Sequence, residues 1–326
     1  MEERPSTVVV SVIIVSWNAC DYLMQCLDSL VMEKPRYAME IIVVDNASSD
    51  GSPDWVQSRY PQVRLVRNKA NLGFAKANNI GIAQSAGKYL CLVNSDVRVF
   101  KGCIEALVEY CERHGEVGVA GPRLIGRDGK LQRTCRGFPT LWNTFCRALA
   151  LDTLFPKARL FTTYSLTHWP QENLSEVDIL SGCFWLVRRE ALDGVGLLDE
   201  SFFMYGEDMD WCKRFWDAGW KLVYVPAAGA QHYGGASSSN APLRFHVEMN
   251  KADLRYWKKH HSPIAVGFYL ILNSLHPIPR VAGYSMVLAV SWPKGEKRDI
   301  YRHKVKRSLA HLRWLFTGHS YAQMAR

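Results

Sequence analysis

Through the first 240 residues, apolar runs of strand length alternate with stretches whose apolar positions recur at helical spacing. Residues 8–16 (VVVSVIIVS) are almost continuously apolar and β-branched, the pattern of a strand buried on both faces. Residues 21–32 follow as a helix, with Leu23, Cys26, Leu27 and Leu30 along one side. EIIVVDN (40–46) and VRLVRN (63–68) predict two further strands, 74–84 a helix, and KYLCLVNSD (88–96) a fourth strand. A helix over 103–113 and a strand near 117–121 continue the series. Such alternation requires right-handed crossovers, so the expected fold class is α/β, a Rossmann-like sandwich with a mostly parallel central sheet. Its ligand crevice should lie at the carboxyl ends of the strands. The rhythm loosens over residues 122–177. It returns with a strand running into a helix over 179–192, a helix over 207–218 and a strand over 221–226.

Polar residues gather where the apolar strands end. Ser16-Trp17-Asn18 follows the first strand, Asp45-Asn46 ends the second, and Asn94-Ser95-Asp96 ends the fourth. Asp, Asn and Ser also cap helices and form turns, which accounts equally well for NASSDGS (46–52). Acids at several strand ends are harder to explain that way, because they converge on one crevice. The chain has no GxGxxG after the first strand, no GxxxxGK[ST] and no GxSxG. A crevice with acids but without a glycine-rich phosphate cradle would hold a diphosphate through a divalent metal.

Charge is divided unevenly. From residue 241 onward there are 15 Lys and Arg against four acids, so that segment carries +11 and residues 1–240 carry −2. An anionic partner is implied, either nucleic acid or a membrane face. Between Arg123 and Arg159 eight cations also stand against Asp128 and Asp152, interleaved with aromatic residues. That mixture suits nucleic acid or a substrate-facing insertion. The nine cysteines form no CxxC pair and fit a reducing compartment. The acidic start, MEERPSTVVVSV, lacks the form of a signal peptide.

Five segments occur in an order that resembles glycosyltransferase family 2, inverting enzymes of the GT-A nucleotide-diphospho-sugar transferase fold. They are VSVIIVSWN (10–18), EIIVVDNASSDGS (40–52), NLGFAKANNIGI (71–82), YLCLVNSDV (89–97) and GEDMDWCKRFWDAGW (206–220). The rhamnosyltransferase-type branch is the most similar, and the likeness covers residues 8–233. It implies that Asp45 reads the pyrimidine N–H of the nucleotide, with Ser16 and Asn18 at base- and ribose-contacting positions. Asn46, Asn71, Asn79, Asn94 and Ser95 fall within the nucleotide-binding motifs. Asn94-Ser95-Asp96 is similar to the Asp-x-Asp motif whose last acid ligates Mg²⁺ or Mn²⁺, with Asn94 departing from the pattern. Glu207-Asp208 matches the Glu-Asp pair, with Asp208 as general base. The positive end of the helix that starts there should lower both acids' pKa values. His232 matches a histidine that completes the metal site, with Gly229, Gly234 and Gly235 letting its loop fold over the donor.

The resemblance implies a dTDP- or UDP-linked donor, with dTDP-rhamnose favoured. It also implies a saccharide acceptor carried on a polyprenyl diphosphate, in cell-surface polysaccharide synthesis. The domain reading is a catalytic domain over 1–240 and a basic, helical region over 241–326. Residues 264–275 and 281–292 are apolar, split by HPIPR (276–280), and each is too short to span a bilayer. They read either as core helices or as a hairpin dipping into the inner leaflet, with Arg280, Lys294 and neighbouring cations at the headgroups and Trp257, Trp292 and Trp314 at the interface. The favoured location is cytoplasmic, peripheral on the inner face of the cell membrane. A nucleic-acid-binding protein using the basic tail is the alternative from another class, and it leaves the strand-end acids unexplained.

Overall fold

The computed structural model describes residues 9–32, 36–234, 242–290 and 295–317. Gly235, Trp292 and Lys294 lie outside the described residues. The chain forms two compact units, Met1–Phe138 with Pro170–Ser239, and Pro139–Trp169 with Asn240–Arg326.

The first unit opens with β1 (Val10–Ser16), α1 (Cys20–Met32), β2 (Met39–Asp45), α2 (Ser52–Arg59), β3 (Arg64–Arg67), α3 (Phe74–Ala83) and β4 (Tyr89–Asn94). Next come β5 (Val97–Val99), α4 (Cys103–Arg113), β6 (Val117–Ile125), β7 (Leu131–Gln132) and β8 (Cys135–Arg136). In the second unit, α5 (Leu141–Ala148) and α6 (Leu151–Leu154) follow. The first unit resumes with β9 (Ser175–Glu176), β10 (Ile179–Leu180), β11 (Phe184–Arg188), α7 (Leu192–Val195), α8 (Glu207–Asp217) and β12 (Lys221–His232).

The main sheet has the order β3-β2-β1-β4-β11-β6-β12-β5. Six of these strands run the same way, whereas β11 lies antiparallel between β4 and β6, and β5 pairs antiparallel with β12. The near-continuous apolar runs are explained by cover on both faces. Val10, Val12 and Ile14 share a core with Leu23, Cys26, Leu27 and Leu30 of α1. On the other face Ile42 and Val44 meet Ala77 of α3, and Gly81 lies so close to Ile13 that an added Cβ would stand 2.4 Å from it.

Parallel register sets the strand ends side by side. Ser16 lies opposite Asp45, Val15 opposite Asn94, and His232, at the end of β12, opposite Val97. Ser16, Asp45, Asn94 and the 95–96 turn therefore share one end of the sheet.

The second unit combines α5 and α6 with α9 (Pro242–His260), α10 (Pro263–Leu275), α11 (Pro277–Val290) and α12 (Glu296–Thr317). Ser262 caps α10 by accepting from the Ala265 N–H at 3.3 Å. The apolar stretch divides at His276 as expected, just before Pro277 and Pro279. Both occupy the first turn of α11, where an absent N–H costs no helical bond. Trp257 and Trp314 are not interfacial, because both are buried and Trp257 stacks on Tyr269 at 4.8 Å. The Arg280 guanidinium donates to the carbonyls of Ala148, Arg147 and His276.

Candidate active site at the strand ends

At the end of β1 and β2 the structure buries polar atoms without giving them partners. Asp45 is 4% exposed, and its Oδ2 accepts from the Ser48 N–H at 3.1 Å while Oδ1 has no protein partner. The neighbouring Ser16 hydroxyl is also buried and unpartnered. An orphaned buried carboxylate oxygen costs free energy unless a ligand supplies a donor. Two such oxygens on adjacent strands make a donor-seeking notch. The other amides expected here build its walls. Asn18, at φ +48°, accepts from the Ser49 N–H at 2.8 Å, and its own N–H donates to Ser48 Oγ at 3.0 Å. Asn46 donates to Gly73 O and accepts from Asn68 Nδ2 at 2.9 Å. Asn71 accepts from the Gly73 N–H. Asn79, buried, ties α3 to the backbone of Leu198 through both its amide atoms.

Beyond β4, Ser95 and Asp96 are buried, and Asn94 donates its N–H to Cys183 O at 3.0 Å. Asp96 Oδ1 stands 3.2 Å from His232 Nε2. Two residues missed in the sequence hold that histidine. Gln132 on β7 places Oε1 2.9 Å from His232 Nδ1, and the next residue, Tyr233, donates its N–H to Asp96 O. Tyr233 is gripped in turn, because its hydroxyl donates to Gln25 and Arg127 lies over the rings of both Tyr22 and Tyr233. No local pattern flags Gln132, since only the β6–β7 hairpin brings it 100 residues along the chain to His232.

Among the described residues no three His, Cys, Asp or Glu side chains come close enough to hold a metal ion alone. Two are present, and their 3.2 Å separation is near the roughly 3.0 Å edge of an octahedron with ligands at about 2.1 Å. Mg²⁺-type ions commonly take one or two protein ligands and fill the rest of the shell with phosphate oxygens and water. The pair fits that mode of binding.

The third element is α8. Tyr205 and Gly206 have φ of +68° and +80°, a left-handed turn that starts the helix sharply at Glu207-Asp208. Gly182 faces the pair, and an added Cβ there would sit 3.4 Å from Asp208 Cβ. Cys183, beside it, is buried. Its thiol is pushed up to about 12 chiefly by that burial, with the charges of Asp96 and Asp208 adding to it. Cys183 accepts the N–H of Asn94, two residues before Asp96, and Gly182 next to it meets Asp208, so the two acids lie around one region. The expectation that the helix end lowers both acids' pKa fails for Glu207. Its carboxyl is 6% exposed, has an unpartnered Oε2, and is held well above the usual range by burial and by the Asp208 charge. Desolvation and like charge outweigh the helix dipole there. Asp208 Oδ1 accepts from the Met209 N–H at 2.9 Å.

Acids and orphaned oxygens gather at the carboxyl end of a mostly parallel sheet, with an Asp-His pair beside them, on a GT-A-like α/β fold. The family model described as Glycosyl transferase family 2 matches residues 11–196. The chain belongs to glycosyltransferase family 2 and is a rhamnosyltransferase-like glycosyltransferase. It is 33% identical over 271 residues to an N-acetylglucosaminyl-diphospho-decaprenol L-rhamnosyltransferase of Mycobacterium tuberculosis, covering 78% of this chain and 86% of that one. A low-salt glycan biosynthesis hexosyltransferase of Haloferax volcanii is 26% identical over 54% of this chain and 52% of its own. Among solved structures, the mannosyltransferase of Pyrobaculum calidifontis in complex with GDP-Man and Mn²⁺ has a similar fold, with a TM-score of 0.57 at 14% identity. The match covers 98% of this chain and 92% of that one. GalNAc-T7 with UDP, GalNAc and Mn²⁺ gives 0.54 at 17% identity, over 98% of this chain and 58% of that one.

Proposed function

We propose that the protein transfers rhamnose, with inversion, from dTDP-rhamnose to a saccharide carried on a polyprenyl diphosphate at the inner face of the cell membrane. The single observation behind this reading is the pair of unpartnered oxygens, Asp45 Oδ1 and Ser16 Oγ, set side by side by the β1–β2 register. Uracil and thymine each offer an N–H donor to such an acceptor, so a UDP-linked donor fits the same notch. The rhamnosyl and lipid-linked assignments rest on the likeness to the mycobacterial relative, whose name carries both.

Asp96 and His232 would hold Mg²⁺ or Mn²⁺, which supplies charge to stabilise the departing nucleoside diphosphate. Asn18, Asn46, Asn71 and Asn79 fix the loops around the nucleotide, and Asn94 and Ser95 place Asp96. Asp208 accepts the proton of the acceptor hydroxyl as that oxygen attacks the anomeric carbon from the face opposite the diphosphate. Glu207, its carboxyl held well above the usual range by burial and by the Asp208 charge, stands beside it at the start of α8. The basic region after residue 240 brings the enzyme to the anionic surface that carries its acceptor.

A thermal-shift panel of nucleotide sugars with Mg²⁺ or Mn²⁺ tests the donor reading. A ligand at 100 times its Kd adds about 2.7 kcal/mol of stability, a clear rise in Tm. The expected pattern is stabilisation by dTDP- and UDP-linked sugars and none by GDP-linked sugars. Stabilisation by purine nucleotides alone would refute it.

A further inference from the structure

The second unit leaves a large apolar surface uncovered by its own fold. On α10 Ile264, Phe268, Ile271 and Leu275 recur at steps of four, three and four, so they form one stripe along the helix. They are 75%, 55%, 59% and 47% exposed, while Val266 and Tyr269 on the other side are buried. On α11 the exposed apolar positions Ile278, Met286 and Val290 fall eight and four residues apart, again on one side. The sequence of α10 has no charged residue, and α11 has only Arg280, which is engaged by backbone carbonyls. A contiguous apolar face of this kind on a protein surface marks an interaction site.

Charge selects the occupant. α11 packs against α12, whose outward positions include Arg302, Lys306, Arg307 and Arg313. A second copy of this chain would bring one +11 region against another, whereas an anionic leaflet complements it. Among the described residues no helix is long and apolar enough to cross a membrane. With 13 and 14 residues, α10 and α11 reach about 20 Å each. We infer that the exposed stripes of α10 and α11 embed in the interfacial layer of an anionic lipid leaflet, with the basic face of α12 over the headgroups. This rests on the reading above that the acceptor is membrane-borne, and it names the surface that meets the membrane.

The test is co-sedimentation of the full chain with phosphatidylglycerol-containing vesicles and with pure phosphatidylcholine vesicles. Phe268→Ser/Ile271→Ser is compared with Phe268→Leu/Ile271→Leu. The native chain should bind the anionic vesicles. The serine variant should bind them about tenfold or more weakly, and the leucine variant like the native chain, with Tm and dTDP affinity unchanged in both. If the native chain and the serine variant bind equally, the stripe is not the docking surface, although the membrane reading stands. If the native chain binds neither vesicle at low salt, the membrane reading itself fails. If light scattering shows a dimer that the serine substitutions disperse, the stripe is a self-interface and the inference is overturned.

Discussion

Asp45→Asn separates recognition from stability. In the native protein one carboxylate oxygen holds the Ser48 N–H at 3.1 Å and the other is buried with no protein partner. The amide oxygen of asparagine can keep the Ser48 bond, which leaves an NH₂ pointing where the oxygen was. A donor then faces the N–H of the pyrimidine, and a charge-assisted hydrogen bond worth about 1.5–3 kcal/mol is lost. Nucleotide affinity should therefore fall by a factor of about 10 to 150. Stability should stay within about 1 kcal/mol, because the substitution exchanges one unpartnered buried polar group for another of similar shape. Titration calorimetry with dTDP and UDP at fixed Mg²⁺, beside a denaturant midpoint, reads both quantities. Undiminished affinity would show that Asp45 does not face the base. A collapse in stability would show that the carboxylate belongs to the fold and not to the ligand.

Asp208→Asn should lower kcat by about 10²–10⁴-fold with donor affinity kept, because the amide cannot take a proton. Glu207→Gln should cost less, about tenfold at most, since Asp208 and not Glu207 takes the proton, and equal losses from the two would remove the division of roles. Asp96→Ala should abolish the gain in nucleotide-diphosphate affinity that Mn²⁺ gives. Gln132→Leu should weaken Mn²⁺ binding about 10- to 100-fold by releasing the His232 ring, and unchanged affinities in calorimetry would detach both residues from the metal. In the second unit, burial, with nearby arginines and other histidines, holds His246 down to about 4, His276 to about 3 and His311 to about 4. Their neutral forms are favoured in the folded state, so the unfolded chain takes up more protons between those values and about 6.5. Stability of that unit is thus full above pH 6.5 and declines toward pH 4 and below, by at most about 1.4 kcal/mol per pH unit for each histidine. A flat denaturation midpoint from pH 7 to pH 4 would contradict it.

The strands carrying the site were legible because burial on both faces leaves an unbroken apolar run, and each run ends on a polar residue. Asp45 and Asp96 stand out in that way, whereas Glu207 and Asp208, at the start of α8, and His232, at the end of β12, were marked by the family resemblance. What the pattern did not carry depends on long-range placement. The reversed direction of β11, the Gly182 approach to Asp208 and the Gln132–His232 contact join segments far apart in the chain. The helix-end argument misjudged Glu207 because burial is not visible in a local sequence. Residues 139–169 fold with the C-terminal helices, a pairing that no local spacing encodes. Of the tryptophans expected at a membrane interface, Trp257 and Trp314 are core residues, and other apolar positions on α10 and α11 are the exposed ones.

The most direct test is transfer of labelled rhamnose from dTDP-rhamnose to a polyprenyl-diphosphate-linked N-acetylglucosamine, in the presence of Mg²⁺ or Mn²⁺, with the product's anomeric configuration read by NMR. The account predicts a labelled glycolipid with the configuration inverted, and none from Asp208→Asn. A product of retained configuration, or no transfer from any dTDP- or UDP-linked sugar by folded, nucleotide-binding protein, would contradict it.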